Sequence, residues 1–317
     1  MATTIDKREA VLGLLDRNAK QTYIPAGFFL HFEKSCHTGQ AAIDKHKEFF
    51  RFTGMDFVKV QLELDFPTVA IEKPQDWANL PFLDTGFFEP QLGVVRGLVE
   101  ALGKDALVIV TLYSPMMMAN HIGDRNLLNA HLEEDVEAVR PGMQTMTDSL
   151  IGFVRECVKA GVDGFYHSTQ GGEDGRFSDP SAFDLGVKPY DLEVMREIER
   201  TCRFNILHIC DYNRDLYGGY SDLTRFFEYP GHVVNCALED MNPELVAAIF
   251  RRPFMGGMDR CGALATGSEA EVRTSARSTL SEAPDRFILG ADCTVPANTS
   301  WENLRAAIDE AHRWMSR

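Results

Sequence analysis

Short apolar runs alternate with amphipathic helical stretches along the whole chain. The β-like runs cover residues 23–32, 57–64, 106–113, 164–169, 204–210, 233–239, 254–257 and 287–293. Helical periodicity follows each, near residues 41–52, 90–102, 142–160, 182–201, 223–227, 243–250, 269–281 and 301–314. Strands that alternate with helices predict βαβ units, hence parallel strands joined by crossover helices. Eight evenly spaced units predict an α/β chain closed into a (β/α)8 TIM barrel. No linker, low-complexity tract or short repeat divides residues 1–317, so the expectation is a single domain of a size this fold commonly takes.

Two connections are long, residues 65–89 after the second run and 114–141 after the third. Both leave the C-terminal ends of strands, where barrels build active sites and long loops serve as lids. The second carries Met116, Met117 and Met118. Methionine fills irregular gaps, so these are expected to pack a loop helix onto the barrel.

Composition narrows the partners. The chain is 44% hydrophobic and 25% charged, as globular proteins are, and its net charge is −15. So acidic a chain argues against nucleic acid or an anionic membrane as partner. No apolar stretch is long enough to span a bilayer, and the charged N-terminus lacks the apolar core of a signal peptide. The expectation is a cytoplasmic protein. Seven dispersed cysteines then read as reduced thiols, some of them available to a metal.

The strongest chemical signal is the segment LHICDY. His208 and Cys210 stand two apart at the end of the fifth run, so strand alternation sends both side chains to one face. Cys293 ends the eighth run in FILGADC. An imidazole and two thiolates on strand ends of one barrel suit zinc with a fourth position left for substrate. Alone, His-x-Cys is also what a buried cysteine beside a strand-capping histidine looks like.

Glu239, at the end of the sixth run, is a candidate fourth ligand or a partner to one, or else a solvent-facing carboxylate. Asp259, after FMGGM, reaches the same rim and either acts on His208 or substrate or forms a loop salt bridge. Cys236 alternates away from Glu239 and reads as core. Tyr166, His167 and Gln170, around the end of the fourth run, are expected to line the pocket, as are His31 and Glu63 on the first two runs.

At these motifs the chain resembles the uroporphyrinogen decarboxylase superfamily, and most of all its zinc-dependent methylcobamide:thiol methyltransferases of the coenzyme M type. The resemblance runs through IPAGFFLHF, GVDGFYHSTQ, PYDLEVMREIE, NILHIC, PFMGGMD, TGSEAEVR and FILGADCTVPANTSWENLRAAIDEA, nearly the whole chain. It implies a (β/α)8 barrel. It also implies zinc held by His208, Cys210 and Cys293, a small thiol activated on it, and a methyl group delivered by a corrinoid. No Asp-x-His-x-x-Gly is present, so the corrinoid (cobalamin) is expected on a separate partner protein; a homodimer stays open. Cobalamin-independent methionine synthase has a similar His-x-Cys…Cys set with an intervening glutamate, a role open to Glu239.

The chain departs from this pattern at Asp211, where relatives often have glycine, and it is short for the best-known methyltransferases, so its thiol can differ from theirs. The alternative is a metal-independent decarboxylase or related lyase. Against it, the segment after Tyr23 has no arginine in IPAGFFLHFEKSCH, whereas a multi-carboxylate porphyrinogen needs cations. A non-enzymatic zinc- or corrinoid-binding subunit is the remaining reading.

Overall fold

The structure, a computed structural model, describes residues 5–238 and 241–314. Glu239 lies outside them. Seven of the eight expected strands form: β1 (Phe57–Val60), β2 (Leu107–Tyr113), β3 (Gly164–Thr169), β4 (Ile206–Ile209), β5 (Val233–Cys236), β6 (Phe254–Met258) and β7 (Phe287–Ala291). They make one all-parallel sheet in chain order, β1 to β7.

The expected strand over residues 23–32 does not form. Only Ala26 bridges to Leu289 of β7. Gly27 N donates to Leu289 O at 3.0 Å, while Ala26 O accepts from Asp56 N at 3.0 Å. The segment therefore lies between β7 and β1 without a ladder. Two successive donors are missing. Pro25 has no N–H, and the Ala26 N–H is taken by the Asp56 carboxylate at 2.8 Å, so consecutive donors are lost.

Strand alternation sorts two cores. Val58, Val60, Val108, Val110, Leu112, Leu207 and Ile209 face outward and pack under the helices. Phe57, Leu107, Ile109, Phe204, Ile206, Val233 and Ile288 face inward, and Val11 and Leu14 from the N-terminal segment join them. Arg8, on the helix Lys7–Leu12, anchors that segment with a two-pronged pair to Asp163 at 2.9 and 2.6 Å. The apolar plug fills the N-terminal end of the sheet and leaves inward polar positions at the other end.

The crossover helices include Gly39–Thr53, Thr85–Leu102, Val136–Ala160, Lys188–Thr201, Pro243–Phe250, Glu269–Ser281 and Trp301–Arg313. The expected helix at 223–227 is a single 3-10 turn, Leu223–Phe226. The third connection holds two short helices, Pro115–Ile122 and Arg125–Glu134. Met116 and Met118 are fully buried there as packing residues, whereas Met117 lines the cavity below. Among the described residues no helix is long and apolar enough to cross a membrane.

Candidate metal centre

A cavity of about 360 Å³ opens at the C-terminal ends of the strands. On its floor lie His208, Cys210 and Cys293, buried to 1%, 4% and 6% exposure. Their ligand atoms all fall within 4.8 Å of one another. The sulfurs of Cys210 and Cys293 are 3.9 Å apart, and Cys293 Sγ is 3.4 Å from His208 Nε2. Among the described residues these are the one group of three or more His, Cys, Asp or Glu side chains placed to share a metal.

Local structure explains the convergence. His208 is on β4, and Cys210 continues that strand's ladder by donating its N–H to Thr169 O at 3.0 Å. Both side chains therefore share the inward face. β7 ends at Ala291, two residues short of expectation, so Cys293 is aimed by the bend after the strand. The Asp292 carboxylate fixes that bend, accepting from Cys293 N at 3.0 Å and from Arg260 N at 2.8 Å. Arg260 then donates one Nη1 to Asp292 at 2.9 Å and to Asp211 at 2.7 Å. One guanidinium thus ties the neighbours of both cysteines, and Asp211 acquires a role at the position where glycine was expected.

The two thiols are electrostatically unequal. The hydrogen bond between them pulls the Cys210 thiol below its ordinary range, against burial and with help from His208. The same contact, then burial, pushes Cys293 up. Tyr166 packs its ring 4.8 Å from that of His208, and its hydroxyl donates to Asn235 Oδ1 at 2.5 Å.

The other expected residues divide. His31, Glu63, Tyr166 and Gln170 line the cavity. His31 Nδ1 meets Glu63 Oε1 at 2.7 Å. His167 does not line it. Adjacent strand residues face opposite ways, so with Tyr166 inward His167 is sealed in the outer layer at 0% exposure. Burial lowers its pKa to about 3. Asp259 is exposed, accepts from Cys261 N at 2.8 Å, and is outside the cavity. Arg260 beside it makes the inward contacts instead.

Lys59 was missed. It sits on β1 at 5% exposure and donates to Gln61 Oε1 at 2.6 Å and Thr111 Oγ1 at 2.9 Å. Its ammonium lies between the rings of Phe29 and Tyr166, at 4.7 and 4.9 Å. Burial lowers its pKa to about 7, opposed by the nearby Cys293, Glu63 and Cys210. The signal was present in FVKVQLEL: Lys59, Gln61 and Glu63 alternate with aliphatics. In a sheet covered by helices on its outer face, the polar alternate face is the interior of the site.

The uroporphyrinogen decarboxylase (URO-D) family profile matches residues 54–314. The chain belongs to that family. No curated protein matches the sequence. Among solved structures, this URO-D chain is similar to a methyltransferase from Methanosarcina mazei at 12% identity and a TM-score of 0.77, over 97% of this chain and 98% of that one. It is also similar to a B12-independent methionine synthase from a Shewanella species, at 12% identity and a TM-score of 0.57, over 92% and 94%. A putative vitamin-B12 independent methionine synthase from Listeria monocytogenes matches at 15% identity and 0.57, over 93% and 98%. At these identities the likeness is one of fold.

Proposed function

We propose that this URO-D family member is a zinc-dependent methyltransferase that moves a methyl group onto a small thiol. The observation that carries the reading is the spacing of three soft donors on a cavity floor. A tetrahedral zinc has bonds near 2.3 Å to sulfur and 2.0–2.1 Å to nitrogen, so its S···S and S···N edges are about 3.8 and 3.6 Å. The two edges at Cys293, 3.9 and 3.4 Å, fit these values, and the Cys210–His208 pair closes the triangle within 4.8 Å. Cys210 and Cys293 supply thiolates and His208 its Nε2. When bound there, zinc holds an acceptor thiol as thiolate at neutral pH.

The chain's own residues do the rest. Burial of the three donors keeps their own ligand atoms from bulk water. Tyr166, locked by Asn235, holds the His208 ring in place. The His31–Glu63 pair stands on the cavity wall to receive the thiol proton. The acceptor sulfur then forms a bond to the methyl carbon as the donor–carbon bond breaks, and the bonding pair leaves with the donor. A methylated corrinoid on a separate protein, or another activated methyl donor, fits this chemistry.

A porphyrinogen decarboxylase fits less well. Among the described residues Arg125 and Lys59 are the two Arg or Lys side chains lining the cavity, and Lys59 already donates to Gln61 and Thr111, which offers a multi-carboxylate macrocycle little to grip.

Metal analysis tests the proposal. The wild type is expected to carry about one zinc per chain, lost in Cys210→Ser and Cys293→Ser, and to methylate a thiol only when loaded. A folded wild type that takes up no zinc would overturn it.

A further inference from the structure

Gln170 reaches the metal centre without being placed to ligate it. Its Nε2 lies 3.5 Å from Cys210 Sγ. An amide nitrogen at a thiolate sulfur is a donor, and the partners of Gln170 fix which end of the amide faces the sulfur. Its Oε1 accepts from Asn213 Nδ2 at 3.0 Å and from Arg176 Nη2 at 3.5 Å. Asn213 is itself oriented, because its Oδ1 accepts from Arg125 Nη1 at 2.7 Å. Arg176 is held two-pronged by Glu173, at 3.0 and 2.5 Å, and its guanidinium lies 4.0 Å over the Tyr217 ring. Gln170, Glu173, Arg176 and Asn213 are all at least nine-tenths buried. The amide therefore cannot turn over without stranding buried donors.

Cys293 has no such neighbour. Among the described residues the hydrogen-bonding atoms its sulfur meets are Cys210 Sγ and His208 Nε2, and Arg260 and Lys59 act on it only through their charge. We infer that Gln170 is a positioning residue that makes the two metal thiolates unequal, damping the sulfur of Cys210 and leaving Cys293 the more electron-rich. The inference rests on the metal-binding part of the proposed function. Its chemical consequence is protection. A ligand thiolate competes with the acceptor thiolate for the methyl group, and a donated hydrogen bond draws density from the lone pair that would attack. With Cys210 damped, misdirected alkylation falls on Cys293 when no acceptor thiol is present.

Cobalt(II) in place of zinc gives the readout, through its thiolate-to-metal charge-transfer absorption. Cobalt-loaded wild type is compared with Gln170→Met, which keeps the bulk and loses the donor. A second variant, Asn213→Asp, leaves Gln170 untouched but puts a carboxylate where Nδ2 donated to Oε1, so the amide N–H is drawn away from the sulfur. Both variants are expected to shift the absorption to longer wavelength. Iodoacetamide supplies the second measurement, on zinc-loaded protein without acceptor. The sulfur–carbon bond forms as iodide leaves, and peptide mass spectrometry locates it. Wild type is expected to alkylate Cys293 roughly fivefold faster than Cys210, the scale of one hydrogen bond, and either variant to even the two rates. An absorption and a rate ratio that ignore both variants, in protein that binds the metal, overturn the inference and leave the metal site standing. A wild type that binds no cobalt overturns both.

Discussion

The sulfurs of Cys210 and Cys293 lie 3.9 Å apart across 83 positions of chain. The two strand ends that carry them are not neighbours in the sheet, since β5 and β6 separate β4 from β7. Only curling of the sheet brings them together, so the pair reports on the integrity of the whole fold. At 3.9 Å the thiols are unbonded, yet a short movement would bring them to the 2.05 Å of a disulfide. A bound metal blocks that path by occupying both thiolates. Chelation followed by mild oxidation is therefore expected to give a Cys210–Cys293 disulfide, seen as a cross-linked peptide pair. Metal-loaded protein treated with the same oxidant should give none, and equal cross-linking in both samples would contradict the shared site.

Arg260 bridges Asp211 and Asp292, whose carboxylates are mostly buried beside the two cysteines. Arg260→Met removes the cation and leaves two like charges facing each other. Removing one partner of a buried ion pair costs about 3–5 kcal/mol, and the part-exposed Asp292 puts the expected loss at the lower end. Urea unfolding should show it. Adding Asp211→Asn to Arg260→Met is expected to restore part of the stability. Zinc stoichiometry should fall in the single variant and recover in the double one.

The pattern of strand ends was legible because alternation is a backbone property. His208 and Cys210 share a face for that reason, and Tyr166 and Gln170 reach the cavity on the same rule. Applied strictly, the rule also excludes His167, which cannot point inward beside Tyr166. Lys59 was not legible on its own because lysine within a strand usually faces solvent, yet here both faces of the sheet are covered. The clamp from Arg260 to Asp211 and Asp292 was not legible. It joins loop residues 49 and 32 positions apart, and nothing periodic links them. The first expected strand failed for a reason that is also long-range, because the Asp56 side chain takes its amide donor.

Tyr166 and Asn235 form a closed polar network inside the apolar interior. Asn235 accepts from the tyrosine hydroxyl and donates to Met255 O at 2.9 Å and Ala291 O at 3.0 Å. Asn235 thereby ties β5 to β6 and β7 just below the cysteines. Tyr166→Phe leaves its Oδ1 unpaired in a dry site, a cost of about 1–3 kcal/mol. The thermal midpoint should fall accordingly. The ring of Phe still packs on His208, so zinc stoichiometry is expected to stay near one per chain. Loss of zinc with unchanged stability would show that the hydroxyl serves the metal site rather than the sheet.

Lys59 predicts a stability difference that depends on pH. Its pKa is about 7 in the folded chain against 10.5 for the free side chain. Between those values the unfolded chain binds the extra proton and the folded chain does not, so this residue makes stability rise with pH. Below about pH 7 both states are protonated and the full cost of burying the ammonium applies, roughly 5 kcal/mol. Above about pH 10.5 both are neutral and the cost is gone. Lys59→Met in metal-free protein should therefore gain most over wild type at pH 6 and progressively less toward pH 10, whatever constant offset comes from leaving Gln61 without its donor. The measurement is the difference in urea midpoint between the two proteins at several pH values. The cysteines titrate in both proteins, and the difference reads the ammonium together with its coupling to the Cys293 and Cys210 thiols. A difference that is flat from pH 6 to pH 10 would mean that the ammonium is solvated through the cavity, and that the floor of the site is wet rather than dry.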